Sequence, residues 1–363
     1  MPQEPIGFAV IGAGTIGPTH VQAIDTVADA KLVVVCDLIE ERARTIAEKY
    51  GAAWTTDIGE ALIREDVQAV SVCTPSGMHG DHTIRAAEAG KHVLCEKPID
   101  IVLSKIDEMI QATQENHVKL ACVFQNRTVP EHIQVREAVR GGKLGKLVLG
   151  DCYQKWYREH SYYASAGWRA TWEWDGGGAL MNQGVHGIDL IQWIMGRAAR
   201  VSAYARHLTR NIPVEDTAVA IVEWENGALG VLEGTTSNYP GLNMRMEISG
   251  NDGTIIVDGG SIVKWAIEGE EEGAAGEAGE GASADPRAIT SVGHVAHVED
   301  LCHAIRENRE PAVTGAEARH AVEIIKAIYL SSREGGATIE LPLSYDDDGP
   351  GIMPRLGSAR LEW

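Results

Sequence analysis

The first third of the chain alternates short apolar runs with amphipathic stretches that are long enough to form helices. The apolar runs are residues 6–11, 32–36, 67–73, 91–95 and 118–124. Strands that alternate with helices in this way usually form a parallel sheet covered by helices. The pattern therefore predicts an α/β domain over residues 1–124.

Beyond residue 142, apolar and polar positions alternate, which is typical of half-buried strands. Strand patterns cover residues 147–157, 201–207, 218–224, 229–236, 244–249 and 254–257, and helical patterns cover 178–195, 295–308 and 316–332. Turn residues at 225–227 and 250–253 join neighbouring strands as hairpins. Residues 125–363 are therefore predicted to form an α+β domain with a large, mostly antiparallel open sheet. Within it, segment 268–285, rich in Gly, Glu and Ala, is predicted to be a solvated acidic loop.

A glycine-rich turn, Gly12-Ala13-Gly14-Thr15-Ile16-Gly17, joins the first apolar run to a helix predicted over residues 15–27. In dinucleotide-binding turns the first glycine permits the bend, the second lets the backbone approach the pyrophosphate, and the third allows close helix packing. Asp37 ends the second apolar run, 20 residues after Gly17, at the spacing expected for the acid that binds ribose hydroxyls. A carboxylate there repels a 2′-phosphate, so NAD is favoured over NADP. A chance glycine turn is the competing interpretation, and the position of Asp37 counts against it.

Three further loops follow the third, fourth and fifth apolar runs, and they contain Thr74-Pro75, Glu96-Lys97-Pro98 and Gln125-Asn126. Ligands of open α/β sheets bind outside the carboxyl ends of the strands, so we expect these loops to converge on the cofactor. Lys97 is thereby predicted to lie beside the nicotinamide, which indicates redox chemistry. The residues assigned to the cofactor site are Gly12, Gly14, Thr15, Ile16, Gly17, Asp37, Thr74, Pro75, His79, Glu96, Lys97, Gln125 and Arg169.

The composition narrows the class of protein further. The 363 residues suffice for two domains, and the formal charge of −20 argues against nucleic acid or an anionic membrane as a partner. The six scattered cysteines lack the paired spacing of a zinc site or a disulfide framework, so no metal is predicted. The sequence has neither a signal-peptide pattern nor an apolar stretch of membrane-spanning length, and we expect a cytoplasmic protein.

Eight aromatic residues lie within segment 153–174, although the whole chain has only 9 Trp, 9 Tyr and 2 Phe. Aromatic faces suit the apolar face of a sugar ring, so this segment is predicted to line the substrate side of the site. A hydrophobic core under a long loop is the alternative. Arg127, Lys155, Arg158 and Arg169 could bind an acidic substrate, and a neutral sugar is equally compatible with the sequence.

The glycine-rich turn, Cys73-Thr74-Pro75, Glu96-Lys97-Pro98 and the segment from Gly176-Gly177-Gly178 to His186 together resemble the Gfo/Idh/MocA oxidoreductases. The resemblance runs from the first strand to the helix that ends near residue 332. It implies an α/β Rossmann domain followed by a domain with a large open sheet. It also implies redox chemistry on a secondary hydroxyl of a sugar, inositol or sugar nucleotide. Association through the outer sheet face, as a homodimer or homotetramer, is implied as well.

The resemblance also implies a catalytic set: the lysine of Glu-Lys-Pro, here Lys97, and an aspartate and a histidine four residues apart. Those two positions hold Asn182 and His186, so the acid is missing. His186 can act as the base, Lys97 can stabilise a developing alkoxide, and Asn182 can orient the hydroxyl. We expect Lys97 and His186 to flank the reacting carbon, with a structural role as the alternative for His186. His294 is predicted to face the ligand, with a helix-capping or surface role as the alternative. The residues assigned to substrate binding are Lys97, Asn126, Tyr163, Trp168, Arg169, Asn182 and His186.

Three functions agree with these features, and each has a small carbohydrate as its ligand. The leading hypothesis is NAD-dependent oxidation, or the reverse reduction, of a sugar, cyclic polyol or sugar derivative. The second is glycoside cleavage through transient oxidation of a ring hydroxyl by bound NAD, without net reduction of the cofactor. The third is a dinucleotide-dependent sensor without catalysis, against which Lys97 and His186 count.

Overall fold

A computed structural model describes residues 4–270 and 291–344 of the chain. Most of the predicted acidic loop at 268–285 lies outside these described residues. The chain divides into two compact units, one formed by Met1–Ala138 with Asp285–Val322 and the other by Val139–Ala284 with Glu323–Trp363. None of the described helices is long and apolar enough to cross a membrane.

The first unit is built on a six-stranded parallel sheet with the strand order β3-β2-β1-β4-β5-β6. Its strands are β1 (Ile6–Ile11), β2 (Ala30–Cys36), β3 (Ala53–Thr55), β4 (Ala69–Val72), β5 (His92–Cys95) and β6 (Leu120–Cys122). All six residues of β1 are buried, as expected for a central strand covered on both faces. This sheet confirms the predicted Rossmann-type α/β domain.

Helices follow the strands of the first unit in alternation, and short 3₁₀ turns at Ser76–Met78 and Gln125–Thr128 follow β4 and β6. The helices before the second sheet are α1 (Gly17–Thr26), α2 (Glu40–Tyr50), α3 (Ile58–Leu62), α4 (His79–Glu88), α5 (Leu103–Glu115) and α6 (Pro130–Arg140). The main apolar cluster of the unit includes Phe8 of β1, Ile24 of α1 and Leu301 from much later in the chain. The carboxyl ends of the strands therefore project from a buried apolar core.

The second unit contains an eight-stranded sheet with the order β13-β12-β11-β7-β10-β9-β8-β14. Its strands are β7 (Leu147–Lys155), β8 (Ala198–Arg206), β9 (Thr217–Trp224), β10 (Leu229–Thr235), β11 (Met244–Gly250), β12 (Gly253–Asp258), β13 (Ser261–Ile267) and β14 (Ile339–Glu340). Its neighbouring strands run antiparallel except for β7 and β10, which are parallel. The predicted mostly antiparallel open sheet and both predicted hairpins, β9–β10 and β11–β12, are confirmed.

The remaining helices are α7 (His160–Ala164), α8 (Val185–Met195), α9 (Val292–Glu307) and α10 (Gly315–Arg333). The single helix predicted over residues 178–195 is in fact a π-helical turn at Ala179–Gly184 followed by α8. The predicted boundary at residue 124 would place α9 in the second domain, whereas α9 belongs to the first unit. The reason is that Val298, Leu301 and Cys302 of α9 pack into the apolar cluster of the first unit. The boundary of the family domains themselves stays a prediction.

Candidate functional site

The glycine-rich turn between β1 and α1 forms a tight cradle. Gly12 has a φ of +99°, and a Cβ there would lie 2.7 Å from the carbonyl carbon and oxygen of Cys73. A Cβ at Gly17 would lie 2.4 Å from the Gly12 carbonyl oxygen, so both positions exclude a side chain. Apart from Gly14 itself and its two chain neighbours, no atom of the described residues lies within 4 Å of a Cβ built at Gly14. The backbone is therefore open at Gly14 and closely packed on either side of it.

The start of α1 suits a phosphate group. The helix has no side-chain cap and no acidic residue in its first turn, so the backbone N–H groups of that turn keep their partial positive charge. Exposed Thr15 and half-buried Ile16 complete the loop in front of the helix. Together with the open position at Gly14, this arrangement fits the pyrophosphate of a dinucleotide.

Asp37 stands at the carboxyl end of β2, beside the glycine turn. Its Oδ2 accepts a hydrogen bond from the Ala13 N–H at 2.7 Å, and its Oδ1 accepts one from the Ile39 N–H at 2.8 Å. The carboxylate is half-buried, and each oxygen keeps a second lone pair. Asp37 can therefore bind two ribose hydroxyls while it holds the turn in place.

Two buried polar atoms at the same edge of the sheet have no hydrogen-bond partner within the described ranges: Thr74 Oγ1 and Gln125 Oε1. Thr74 and half-buried Pro75 follow β4, and Gln125 begins the 3₁₀ turn after β6. Buried polar groups in proteins are nearly always hydrogen-bonded, so these atoms are suited to a ligand with amide or hydroxyl groups. The residues of the first unit thus fit NAD.

Lys97 lies on the loop after β5, where the Lys97–Pro98 peptide bond is cis. The backbone N–H of Lys97 donates to Glu96 Oε2 at 3.0 Å, and the side chain is half-buried. The lysine is therefore presented from a loop whose backbone is fixed by the preceding residue.

Glu96 itself is buried and connects three parts of the unit. Its Oε1 accepts hydrogen bonds from His20 Nε2 of α1 at 2.8 Å and from His294 Nε2 of α9 at 3.2 Å. These imidazole donors hold the pKa of Glu96 well below its usual value despite the burial of the carboxyl. His20, Glu96 and His294 are also residue types that bind metal ions. Because both ring nitrogens approach the same carboxylate oxygen at hydrogen-bond distance, hydrogen bonding explains why these three side chains lie together. Glu96 is placed to support the lysine loop.

Burial lowers the pKa of His20, so its ring is neutral near pH 7 and has one N–H. Because that N–H is donated to Glu96, Nδ1 must accept the hydroxyl proton of Ser71, which lies 2.6 Å away. The polar chain thus runs from β4 through α1 to the lysine loop. His294 has its second ring nitrogen, Nδ1, buried without a hydrogen-bond partner among the described residues.

His79, at the start of α4, also links two of the loops. Its Nδ1 lies 2.8 Å from the Pro98 carbonyl oxygen and its Nε2 lies 2.9 Å from the Thr74 carbonyl oxygen. The ring is almost fully buried, so His79 holds the Thr74 and Lys97 loops together.

Half-buried Asn126 has its carbonyl oxygen hydrogen-bonded to His132, and Arg127 forms a 2.8 Å ion pair with Glu317.

In the second unit, the run Gly176-Gly177-Gly178 is packed against a buried carboxyl group. Glu215 Oε2 accepts from the Gly178 N–H at 2.9 Å, and Oε1 accepts from the Leu180 N–H and the Tyr329 hydroxyl, each at 2.8 Å. A Cβ at Gly178 would lie 1.9 Å from the Glu215 carbonyl oxygen. Burial raises the pKa of Glu215 to about 7. This carboxyl fixes the start of the π-helical turn.

That turn carries Asn182, and His186 follows in the first turn of α8. Single π-helical turns are frequent at functional sites. His186 is buried, and Asn182 is half-buried with its Nδ2 donating to Asp175 Oδ1 at 2.7 Å. Asn182 and His186 are four residues apart, across the junction of the π-helical turn and α8.

Cations and aromatic rings surround Tyr162 beside this turn. The Arg169 guanidinium lies 4.5 Å from the Tyr162 ring centroid and 4.7 Å from that of half-buried Trp168, and its Nη1 donates to the Tyr162 hydroxyl at 2.7 Å. The Arg158 guanidinium lies 5.7 Å from the same tyrosine ring. By contrast, the Tyr163 hydroxyl lies 2.5 Å from Thr236 Oγ1, and its ring packs with Ala170 and Val214. Tyr163 therefore favours the core alternative.

The sequence alone did not indicate several supporting residues. His20 lies on the buried face of α1 with Gly17 and Ile24, and a histidine at that spacing is the one signal that could have marked it. Glu215 and Tyr329 carry no comparable signal, because their contacts with the glycine run join positions that are distant in sequence.

Two family models match this chain. Residues 6–124 match the model described as an oxidoreductase family with an NAD-binding Rossmann fold, and residues 132–256 match the GFO/IDH/MocA C-terminal domain. These matches confirm the predicted family resemblance and the predicted NAD-binding domain.

Individual proteins match the chain over most of its length. Myo-inositol 2-dehydrogenase of Thermotoga maritima is 30% identical over 69% of this chain and 75% of its own length. D-glucoside 3-dehydrogenase of Escherichia coli is 33% identical over 69% of this chain and 71% of its own length. The WlbA dehydrogenase from Bordetella pertussis, whose structure was solved in complex with NADH and UDP-GlcNAcA, is 33% identical in sequence to this chain. It covers 94% of this chain and 100% of its own, with a TM-score of 0.84.

Proposed function

Because the chain belongs to the Gfo/Idh/MocA oxidoreductase family, we propose that it oxidises a secondary hydroxyl of a sugar or cyclic polyol with NAD. The observation that carries this proposal is the placement of Lys97. Its loop follows β5 of the dinucleotide-binding sheet, and its backbone is held by the buried Glu96. The inositol and glucoside substrates in the names of the relatives support the substrate class.

Oxidation of an alcohol requires loss of a hydroxyl proton and transfer of hydride from the same carbon. Bound NAD supplies the hydride acceptor. We assign the proton to His186, whose imidazole can titrate near neutral pH, and the stabilisation of the developing alkoxide to the Lys97 ammonium. Asn182 orients the hydroxyl by hydrogen bonding. Asp37 makes NAD the preferred cofactor over NADP, since its carboxylate accepts from the ribose diol and repels a 2′-phosphate.

Incubation of the purified protein with NAD and a panel of inositols, glucosides and sugar nucleotides tests this function. Net formation of reduced cofactor with one member of the panel supports the dehydrogenase. Cleavage of a glycoside without net reduction would instead indicate an enzyme that recycles bound NAD. Binding of sugar without either reaction would indicate a sensor. The same panel with NADP and with a Lys97→Met variant serves as the control.

We also propose that two copies of the chain associate through the outer face of the eight-stranded sheet. Side chains alternate along β9, so Ala218, Ala220 and Val222 are buried while Val219 and Ile221 are exposed, the latter by 60%. Tyr204 of β8 and Leu229 of β10 are exposed as well. An apolar face of this kind is typical of a contact between subunits. Analytical ultracentrifugation of wild type and Ile221→Lys should give an oligomer and a smaller species, respectively; two identical profiles would refute the contact.

A further inference from the structure

A second carboxylate, that of Asp175, is bound to the half-buried amide of Asn182. Asp175 is 3% exposed, its Oδ1 accepts from Asn182 Nδ2 at 2.7 Å, and its Oδ2 accepts from the Ala170 N–H at 2.8 Å. Its own backbone N–H donates to the Thr171 carbonyl oxygen at 3.0 Å. The carboxylate is thus fixed by hydrogen bonds on both oxygens.

These contacts also fix which way the Asn182 amide points. A carboxylate only accepts hydrogen bonds, so the atom that faces Asp175 must be the amide nitrogen. The amide oxygen, Oδ1, then faces donors: Gln183 Nε2 at 3.1 Å and the Tyr162 hydroxyl at 3.4 Å. Oδ1 has two lone pairs and two protein donors, so the Asn182 amide has one defined orientation, and its hydrogen bond to the charged carboxylate is of the stronger kind.

We propose that Asp175 is a positioning residue for the dehydrogenation, because its carboxylate fixes the orientation of the Asn182 amide, the group to which we assign the orientation of the substrate hydroxyl. This inference rests on the proposed function. The negative charge missing at position 182 then lies one hydrogen bond away from the Asn182 side chain. The charged and titratable groups near this pair include Tyr162, Arg169, Arg158 and Tyr329.

Because Asp175 also binds the Ala170 N–H, a simple deletion would disturb the loop, and an exchange of the two side chains is the sharper test. The variants are Asp175→Asn, Asn182→Asp and the double exchange, which keeps one carboxylate and one amide in contact. Asp175→Asn should lower kcat about 10- to 100-fold with little change in KM, since misplacement of a catalytic group reduces rate more than binding. The double exchange should recover most of that loss.

Asn182→Asp provides a readout that does not depend on turnover. It places two carboxylates in contact, so the pair retains a proton to a higher pH than an isolated aspartate. The folded variant then binds more protons than its unfolded chain, and its Tm should fall relative to wild type as the pH rises from about 5 to about 8. In the double exchange this pH dependence should disappear.

A matched control is the Asn243–Asp258 pair on the sheet of the same unit, where Asn243 Nδ2 donates to Asp258 Oδ1 at 3.0 Å. Exchange of that pair should leave kcat unchanged. The inference is overturned if Asn182→Asp shows no pH-dependent loss of Tm, or if an active enzyme keeps its kcat in Asp175→Asn. A wild type that oxidises no sugar, with the pH-dependent loss intact, would refute the proposed function and leave Asp175 with a structural role only.

Discussion

Each unit of the molecule has a buried carboxyl group that supports a segment with candidate reactive residues. The two carboxyl groups accept hydrogen bonds from different kinds of donor. In the first unit, Glu96 accepts from two imidazoles and from the Lys97 N–H, and its pKa lies well below the usual value. In the second unit, Glu215 accepts from two backbone N–H groups and the Tyr329 hydroxyl, and its pKa is raised to about 7.

The difference shows that the type of hydrogen-bond donor influences the pKa of a buried carboxyl group. Desolvation raises the pKa of both groups; at Glu96 the contacts with the two imidazoles outweigh it, whereas at Glu215 the hydrogen bonds from two backbone amides and a phenol do not. Glu96 therefore stays ionised throughout the neutral range, and Glu215 takes up a proton near neutrality. The support of Lys97 should be insensitive to pH near 7, and the support of the π-helical turn should be sensitive to it.

The largest effect is expected where the first unit contributes charge to the reaction. Lys97→Met should lower turnover by about 10³-fold, since loss of one group that stabilises a developing oxyanion has an effect of this order. Affinity for NAD should change by only a few fold, because Glu96 and the glycine turn remain. Steady-state kinetics and a fluorescence titration of NAD measure both quantities. Lys105→Met, at a surface lysine paired with Glu108, is the control, and lost NAD binding with retained chemistry would contradict the assignment.

Removing the charge of Glu96 should be the more costly of the two carboxyl changes for stability. In Glu96→Gln the amide cannot accept from both imidazoles and from the Lys97 N–H, so buried donors lose their partner. We expect the free energy of unfolding to fall by about 3–5 kcal/mol, because each lost hydrogen bond to the ionised carboxylate contributes about 1.5–3 kcal/mol. Urea denaturation at about pH 8 measures it, and a loss smaller than that of Glu215→Gln would reverse the comparison.

Glu215→Gln should reduce the free energy of unfolding by about 1–3 kcal/mol, because one backbone N–H then faces the amide nitrogen. The pKa of Glu215 is raised in the folded state. Between pH 4.5 and about 7 the folded wild type therefore holds a proton that the unfolded chain has already released. Its contribution to stability is therefore present at low pH and is lost as the pH rises through about 7. The stability gap between wild type and variant should shrink from about pH 5 to about pH 8; a gap that does not change over this range would mean that Glu215 is ionised throughout.

The smallest effect concerns the choice of cofactor in the first unit. Asp37→Ala should lower the affinity for NAD by about tenfold, which corresponds to the loss of one charge-assisted hydrogen bond. The affinity for NADP should fall less, because the repulsion of a 2′-phosphate is removed as well. Asp66→Ala, at a surface aspartate paired with Arg64, is the matched control. Equal losses for both cofactors in a fluorescence titration would exclude this role for Asp37.

The two units also differ in how far their sequence reveals them. The glycine turn, Asp37 and the Glu96-Lys97-Pro98 loop were predictable, because each follows a strand at a spacing that parallel α/β topology imposes. Glu215 and Tyr329 were not, because their contacts with the glycine run depend on how distant segments pack. Strand β13 escaped prediction since most of its residues are half-buried, without alternation, and β14 has only two residues. The roles of Lys97, His186 and Asn182 stay predictions.

Hydride transfer from the sugar is the most direct test of this account. A single turnover of the NAD-loaded protein, with sugars that carry deuterium at one ring carbon at a time, can be followed by mass spectrometry of the nicotinamide. Our proposal predicts deuterium in the reduced cofactor for one labelled carbon, and none in the Lys97→Met variant over the same time. Absence of deuterium transfer from every ring carbon, with NAD bound and sugar saturating, would contradict it.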